Sequence, residues 1–171
     1  STFVGTNFRM NEFTGGVMLV QLRKLDRMID AARSNAAQIY DRLRDLAGIR
    51  FRKRPDPAGD LGSLVFLGFA SKERRDRYSA AMRAEGVPVG PPGGSVILPI
   101  APYIEKKIAM HPAWPTWTSP RGREIRYGAA SCPRTIDILN RFAGVAVGPK
   151  YTRGDIDDIV AAIRKVYPTV A

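Results

Sequence analysis

The chain of 171 residues contains one histidine, His111, and one cysteine, Cys132. A single thiol cannot form an internal disulfide, and it cannot supply the several thiolates of a structural zinc site. A single imidazole excludes a metal site built on two histidines, and it leaves no spare histidine for a Ser/His/Asp catalytic site. The counts therefore predict that the chain holds no metal. Cys132, which precedes a proline, is expected to be a buried helix-start residue rather than a reactive thiol.

Basic side chains outnumber acidic ones, since 27 Lys and Arg face 16 Asp and Glu, a net charge of +11. A charge of this size is common among nucleic-acid-binding proteins. Here, however, the basic residues are spread along the chain, and many alternate with acids. Their densest cluster, within residues 50–54, is expected to be a solvated strand edge. The pattern favours a solvated basic surface, or one that meets phosphorylated small molecules, over a nucleic-acid site.

A helical pattern runs from about Asn11 to Ala47. Its apolar residues recur at alternating gaps of four and three, which places one apolar stripe along roughly eight turns. The stripe consists of Met18, Leu22, Leu25, Ile29, Ala32, Ala36, Ile39, Leu43 and Leu46. Asn11 is predicted to cap this helix, and Gly48 is predicted to end it. Because one short domain cannot cover so long a helix, we expect the stripe to contact a partner subunit or to bridge two domains.

Shorter apolar runs predict a small sheet with helices packed on it. Strands are predicted at residues 49–54, 64–70, 87–89 and 145–147. Helices are predicted at residues 72–85 and 133–142, and after a capping box at Thr152–Asp155, with Pro168 ending the last one. The elements together indicate an α+β fold: a long helix plus a small, mainly antiparallel sheet with helices covering one face.

The segment of residues 95–130 holds five prolines and both tryptophans. It is predicted to be mostly loop, and a loop of this length is typically functional. No apolar run reaches membrane-spanning length, and no signal-peptide pattern opens the chain. We therefore expect a cytoplasmic protein.

Two parts of the chain carry the motifs of a known family. Residues 5–13 are Gly-Thr-Asn-Phe-Arg-Met-Asn-Glu-Phe, and residues 21–26 are Gln-Leu-Arg-Lys-Leu-Asp. Later come Cys-Pro at 132–133, Arg at 141, Gly-Pro-Lys-Tyr-Thr at 148–152 and Asp-Ile at 155–156. These motifs resemble the DegT/DnrJ/EryC1/StrS aminotransferases, whose pattern Gly-x-Asn-x-Arg-Met-x-Glu precedes a helix with Gln-Leu near its middle. Gly15-Gly16 stands where that family usually has alanines.

The resemblance implies the aspartate-aminotransferase-like architecture, fold type I of the pyridoxal-phosphate (PLP) enzymes, with this chain as its C-terminal part. Residues 1–17 would then be the end of the large cofactor domain and the start of the long helix. Residues 18–171 would form the small C-terminal domain. Since two subunits complete each active site in this family, a homodimer is expected, with the missing N-terminal half or large domain as a further partner.

The resemblance also implies PLP as the cofactor. The family's Schiff-base lysine, and its acid beside the pyridine nitrogen, come before the motif at residues 5–13, and none of the seven lysines here lies in the family's lysine context. We therefore expect no catalytic residue in this chain. Asn7 matches the family asparagine that reaches the cofactor phosphate of the neighbouring subunit, where an amide N–H suits a phosphate oxygen. The alternative is an Asn7 that caps or turns the loop.

Arg9 is the second candidate for cofactor binding. It would support the same loop or face an anionic substrate group, and a surface pair with Glu12 is the alternative. His111, Trp114 and Trp117 resemble a substrate-facing loop of sugar-processing relatives. The alternative for them is a loop held by aromatic packing, and the departure from the usual pattern leaves the substrate class open.

The function implied is transfer of an amino group, typically from glutamate or glutamine, to a keto-sugar, a cyclitol or a related secondary-metabolite carbonyl. One alternative lies within the family, whose sugar dehydratases replace the Schiff-base lysine with histidine. Another is a free-standing basic binding module for nucleic acid or an acidic partner protein. Binding by such a module would weaken steeply with salt.

Overall fold

The computed structural model describes residues 10–91, 97–109, 111, 113 and 115–170. Its helices are α1 (Glu12–Leu22), α2 (Leu25–Leu43), α3 (Lys72–Ala84), α4 (Pro102–Glu105), α5 (Pro115–Thr118), α6 (Pro120–Glu124), α7 (Pro133–Asn140) and α8 (Arg153–Val170). Its strands are β1 (Leu64–Gly68), β2 (Val89–Gly90) and β3 (Phe142–Ala146). Short 3-10 turns lie at Leu98–Ile100 and Ala129–Ser131.

The strands form one antiparallel sheet in the order β1-β3-β2, with β3 in the centre. Val145 on β3 pairs with Val65 on β1 and with Val89 on β2, and all three side chains are buried. Alternation along a strand sends every second side chain to the same face. The buried valines therefore mark the face on which the helices pack. The predicted small antiparallel sheet is confirmed.

The core lies between that face and helices α2, α3 and α8. Phe69, Tyr78 and Tyr167 meet at its centre, with the Phe69 ring centroid 4.8 Å from that of Tyr78 and 5.4 Å from that of Tyr167. The Tyr167 hydroxyl donates to the carbonyl oxygen of Gly48 at 3.0 Å and to that of Gly68 at 3.2 Å. One α8 side chain thus ties the segment after α2 to the end of β1.

Helix α8 begins with the predicted capping box. The Asp155 carboxylate accepts from the Thr152 backbone N–H at 2.6 Å and from the Thr152 hydroxyl at 2.7 Å. In return the Asp155 N–H donates to the Thr152 hydroxyl oxygen at 3.3 Å. These bonds satisfy backbone donors that a helix start leaves free. They fix the direction in which α8 packs its apolar face onto the sheet.

The capping box makes the stability of the fold depend on pH. Its hydrogen bonds, the one from the Thr152 backbone first, hold the pKa of the Asp155 carboxyl below its usual value. A carboxylate whose pKa is lower in the folded state stabilises the fold at pH values above its unfolded-state pKa. This contribution is lost as the pH falls through the folded-state pKa. In Asp155→Asn, we expect the free energy of unfolding to decrease less steeply as the pH is lowered. Urea unfolding between about pH 2 and pH 6 measures this slope. Asp158→Asn, on the same helix outside the box, should leave the slope unchanged, and equal slopes in both variants would contradict this assignment.

The prediction of a single long helix from Asn11 to Ala47 is wrong. The structure has two helices with a break at Arg23–Lys24, where the Lys24 N–H bonds the carbonyl of Gln21 rather than of a residue four positions back. The second helix ends at Leu43, and tight turns lead from there to Gly48. The apolar stripe crosses the break unchanged, which is why periodicity alone did not reveal it. Asn11 does cap the first helix, and its side chain accepts from the Thr14 N–H at 2.8 Å.

The strand predicted at residues 49–54 is also absent as a regular element. Only a single bridge forms there, Phe51 to Leu67, although neighbouring backbone groups do bond β1. Two of the four basic side chains lie over aromatic rings, with the Arg52 guanidinium 5.5 Å from the Phe66 ring centroid and the Arg54 guanidinium 4.1 Å from that of Tyr40. Such stacking is favourable for a guanidinium and holds the side chains against the surface. The segment is therefore a partly covered basic edge rather than a freely solvated strand.

Three further boundaries differ from the predictions. The strands expected at 87–89 and 145–147 are observed at Val89–Gly90 and Phe142–Ala146. Pro168 lies inside α8 and does not end it. The helix continues to Val170, with the Thr169 hydroxyl donating to the Val166 carbonyl at 2.7 Å. Within the described part of the chain, none of the helices combines the length and hydropathy needed to cross a bilayer.

Candidate functional site

The predicted cofactor-binding residues, Asn7 and Arg9, lie outside the residues that the structure describes. What the structure does place is the helix directly after them. Helix α1 starts at Glu12, fixed by the Asn11 side chain cap. Helix α1 therefore begins three residues after Arg9. The role of Asn7 and Arg9 at a phosphate stays a prediction.

Helix α1 leaves its part of the predicted apolar stripe exposed. Each of its residues is exposed or half-buried, and Phe13 is 83% exposed. By contrast, the same stripe is buried in α2, from Ala32 to Leu43. A groove of about 470 Å³ runs along α1, lined by Phe13, Gly16, Val17, Val20 and Gln21. The sequence predicts that one short domain cannot cover the whole stripe, and the structure shows that this chain buries only the part on α2.

His111 is an exposed side chain in the segment between α4 and α5. Its Nδ1 accepts a hydrogen bond from the backbone N–H of Ala113 at 3.2 Å. Because Nδ1 is an acceptor, the proton of the neutral ring lies on Nε2. The imidazole thus presents an N–H donor on the side away from its own loop.

Trp117 is half-buried on α5, and its ring packs edge-on against Tyr127, with centroids 5.7 Å apart. This contact matches the alternative in which aromatic packing holds the loop. Trp114, the third predicted substrate residue, lies outside the described residues. His111 and Trp117 thus lie in one segment, where His111 accepts from Ala113 and Trp117 packs against Tyr127.

Lys107 holds this segment together. Its Nζ donates to the carbonyl of Gly122 at 2.6 Å and to that of Arg123 at 3.0 Å, at the end of α6. Gly122 itself is packed so closely that an added Cβ would lie 1.9 Å from the carbonyl oxygen of Thr116. The segment predicted to be mostly loop therefore contains the short helices α4 to α6, joined by non-helical residues.

Cys132 is half-buried and occupies the N-cap position of α7, where its side chain makes no capping hydrogen bond. Its position at a helix start is as predicted, but full burial is not observed. The described residues contain no group of three or more His, Cys, Asp or Glu side chains placed to hold a metal ion.

Helix α3 buries polar groups that the sequence did not reveal. Arg75 and Ser79 are nearly fully buried, and the Tyr78 hydroxyl lies at the core without a hydrogen-bond partner in the described structure. Burial raises the pKa of Tyr78, so its hydroxyl stays protonated. The Arg75 Nε lies 2.8 Å from Asp76 Oδ1. Since the helix sequence is rich in charge throughout, its pattern gave no sign of which charged residue faces inward.

A second groove, of about 510 Å³, lies between the end of α3, strand β3 and α8. Glu85 and Lys165 stand at its rim and form an ion pair at 2.8 Å. None of the predicted site residues that the structure describes lines this groove, so it is separate from the candidate site.

The fold matches solved aminotransferases over nearly the whole chain. The aminotransferase from Psychrobacter cryohalolentis superposes with a TM-score of 0.68 at 20% identity, covering 99% of this chain and 42% of its own. DesV from S. venezuelae superposes with a TM-score of 0.64 at 21% identity, covering 96% of this chain and 38% of its own. Spr1654 from Streptococcus pneumoniae, in its PMP form, superposes with a TM-score of 0.65 at 11% identity, covering 95% of this chain and 36% of its own. The chain thus spans about two-fifths of the length of these structures.

These likenesses confirm the predicted fold, which is that of part of the fold-type I aminotransferase architecture. Independently of the coordinates, residues 1–91 match the sequence profile of one family, a segment that includes the motif at residues 5–13. That match covers more than half of the 171 residues. The chain belongs to the DegT/DnrJ/EryC1/StrS aminotransferase family.

Proposed function

We propose that this chain is the C-terminal portion of a PLP-dependent aminotransferase. The enzyme would transfer an amino group to the carbonyl of a keto-sugar, a cyclitol or a related secondary metabolite. The family match over residues 1–91 carries the proposal, because it includes the Gly-x-Asn-x-Arg-Met-x-Glu motif in full. The catalytic lysine and the acid at the pyridine nitrogen would come from polypeptide outside these 171 residues.

The donor chemistry of Asn7 and Arg9 fits a phosphate. An amide N–H and a guanidinium both donate hydrogen bonds to anionic oxygens, and the bonds to a charged acceptor are the stronger kind. When bound, PLP supplies the electron sink that amino transfer requires. The part that we assign to Asn7 and Arg9 is to anchor the phosphate, in the active site of a neighbouring subunit of a homodimer.

The segment from α4 to α6 is proposed to face the acceptor substrate. His111 supports this role because it is exposed and carries its proton on Nε2, where it can donate to a carbonyl or hydroxyl oxygen. Trp117 would form an apolar wall held in place by Tyr127. Trp114 is the third residue of this proposed surface.

The amino-donor half-reaction tests the proposal. Protein isolated from its own cells and loaded with PLP is mixed with glutamate or glutamine, with no acceptor present. We expect the corresponding 2-oxo acid to form in proportion to the active sites, because the cofactor can hold one amino group per site. A sugar dehydratase of the same family, which has histidine in place of the lysine, would be distinguished by the absence of a PLP adduct on any lysine after borohydride reduction.

A further inference from the structure

Lys107 adopts a backbone conformation that lysine rarely takes. Its φ of 53° lies in the left-handed region, and the other residues found there in the described chain are all glycines. Lys107 follows the end of α4, where its N–H donates to the Ile104 carbonyl at 3.0 Å and the Ile108 N–H donates to that of Tyr103 at 2.8 Å. Glycine is the usual residue at this position of a helix end, because a Cβ is strained there. Backbone geometry alone therefore favours glycine, and what lysine adds is its side chain.

The Lys107 ammonium caps the last turn of α6. Its Nζ donates to the carbonyls of Gly122 and Arg123, which are among the last four carbonyls of that helix and have no partner within it. The carbonyl end of a helix carries partial negative charge, so a cation is favourable there. Arg126 also donates to the Arg123 carbonyl, at 3.1 Å. In the described part of the chain, the carbonyl of the buried Gly122 therefore depends on Lys107.

The end of α4 is a fixed base for this side chain. Ala101, at the start of α4, is 5% exposed. At the other end, an added Cβ on Gly128 would lie 3.1 Å from Glu105 Oε1, so the Glu105 carboxylate packs against the chain that follows α6. Lys107 is half-buried beside it, whereas Lys106 is exposed. Of these two neighbouring lysines, Lys107 thus joins α4 to α6, and Lys106 faces solvent.

The contact between Lys107 and α6 closes the segment that carries His111 and Trp117. Lys107 precedes residues 108–121 and Gly122 follows them, so the hydrogen bond between Lys107 and Gly122 holds the two ends together. Holding the ends of a loop together restricts the conformations open to the residues between them. The closure therefore limits where both side chains can lie.

The two proposed substrate residues depend on this closure to different degrees. Trp117 has an anchor of its own, because its ring packs against Tyr127. His111 is exposed, and the hydrogen bond that it accepts, from Ala113, lies within the same loop. The place of His111 relative to the rest of the protein therefore follows from how the ends of the loop are held.

We propose that Lys107 is a positioning residue for the amino-group acceptor. By joining the end of α4 to the last turn of α6, it fixes the point at which His111 presents its Nε2 donor. The inference rests on the proposed function, since the acceptor is what His111 would meet. The closure of the segment is measured without any substrate, so its failure is distinguishable from a failure of the proposed activity.

Hydrogen–deuterium exchange of the complete enzyme, read by mass on its peptides, tests the closure. Lys107→Met keeps a long side chain but removes the donors. We expect peptides that contain His111 to exchange roughly tenfold faster in this variant, since a hydrogen bond from a charged group is lost. Lys107→Arg, whose guanidinium can donate to both carbonyls, should exchange like the wild type, and so should the matched control Lys106→Met. Unchanged exchange in the peptides of α8 shows that the core stays folded in each variant.

The kinetics of the two half-reactions test the positioning role. Glutamate is the amino donor, and the acceptor probes are a nucleotide-linked keto-hexose and inosose, a keto-cyclitol. With whichever probe the wild-type enzyme aminates, Lys107→Met should lower kcat/KM for that probe about tenfold to a hundredfold, since displacing a binding group has effects of this size. The value for glutamate, which reports the donor half-reaction, should stay unchanged, and Lys107→Arg should recover most of the loss.

Each outcome decides one part of the proposal. Unchanged exchange around His111 in Lys107→Met overturns the closure. Faster exchange with equal losses for glutamate and the acceptor probe, or with no loss for either, overturns the positioning role, because Lys107 would then act on stability alone. A wild-type enzyme that aminates neither probe counts against the proposed function, and the exchange measurement then decides by itself whether Lys107 closes the segment.

Discussion

Replacing Phe69 with alanine is expected to lower the free energy of unfolding by about 3–5 kcal/mol. The Phe69 side chain is 1% exposed, and its ring contacts those of Tyr78 and Tyr167. Removing it takes away the apolar contacts and leaves a cavity between rigid aromatic rings that cannot collapse far. Urea unfolding monitored by far-ultraviolet circular dichroism gives the difference.

Tyr103→Ala is the control for this loss. Tyr103 on α4 is 48% exposed, so the same kind of truncation removes far less buried surface. The change in the free energy of unfolding should stay within about 1 kcal/mol. Similar losses for Phe69→Ala and Tyr103→Ala would contradict a core centred on the three aromatic rings.

The second large effect is expected at the cofactor. Asn7→Ala should weaken PLP binding about tenfold to a hundredfold, because it removes a hydrogen bond to a charged phosphate, worth roughly 1.5–3 kcal/mol. The affinity is measured by titrating the apoprotein of the complete enzyme with PLP. Binding of the 2-oxo acid product should change little, since Asn7 is assigned to the phosphate alone.

Asn11→Ala provides a matched control four residues later in the same segment. Asn11 caps α1, so its loss should cost about 1 kcal/mol of helix stability but leave the phosphate contact in place. An equal fall in PLP affinity in both variants would mean that Asn7 acts by shaping the loop, which is the alternative weighed for it from the sequence.

Local sequence signals predicted the ends of several elements because the interactions that fix them are local. The caps at Asn11 and Thr152 join groups three residues apart, and each is observed. The buried face of α8 follows the helical period, and the helix packs against α2 and α3. The sheet itself followed from short apolar runs of strand length.

The remaining features depend on contacts that no local pattern records. The break at Arg23–Lys24 leaves the apolar period unchanged, so only the fold shows that α1 and α2 are separate helices. Arg54 stacks on Tyr40, fourteen residues away, and this pairing replaces the solvated strand edge that the charge cluster suggested. The motif around Asn7 pointed to the family through residue identities, whereas the substrate segment with His111 departs from the usual pattern and left the acceptor open.

The most direct measurement of the central claim is a mass spectrum after borohydride reduction. Protein containing this chain is isolated from its own cells, reduced so that any covalently held PLP is fixed, and digested for mapping. The account predicts a PLP-sized adduct on a lysine outside residues 1–171, with every lysine of these residues unmodified. If every species that contains or accompanies the chain carries no adduct, and the chain itself appears only at 18.8 kDa, the aminotransferase assignment fails, and the dehydratase with histidine in place of the lysine or the basic binding module takes its place.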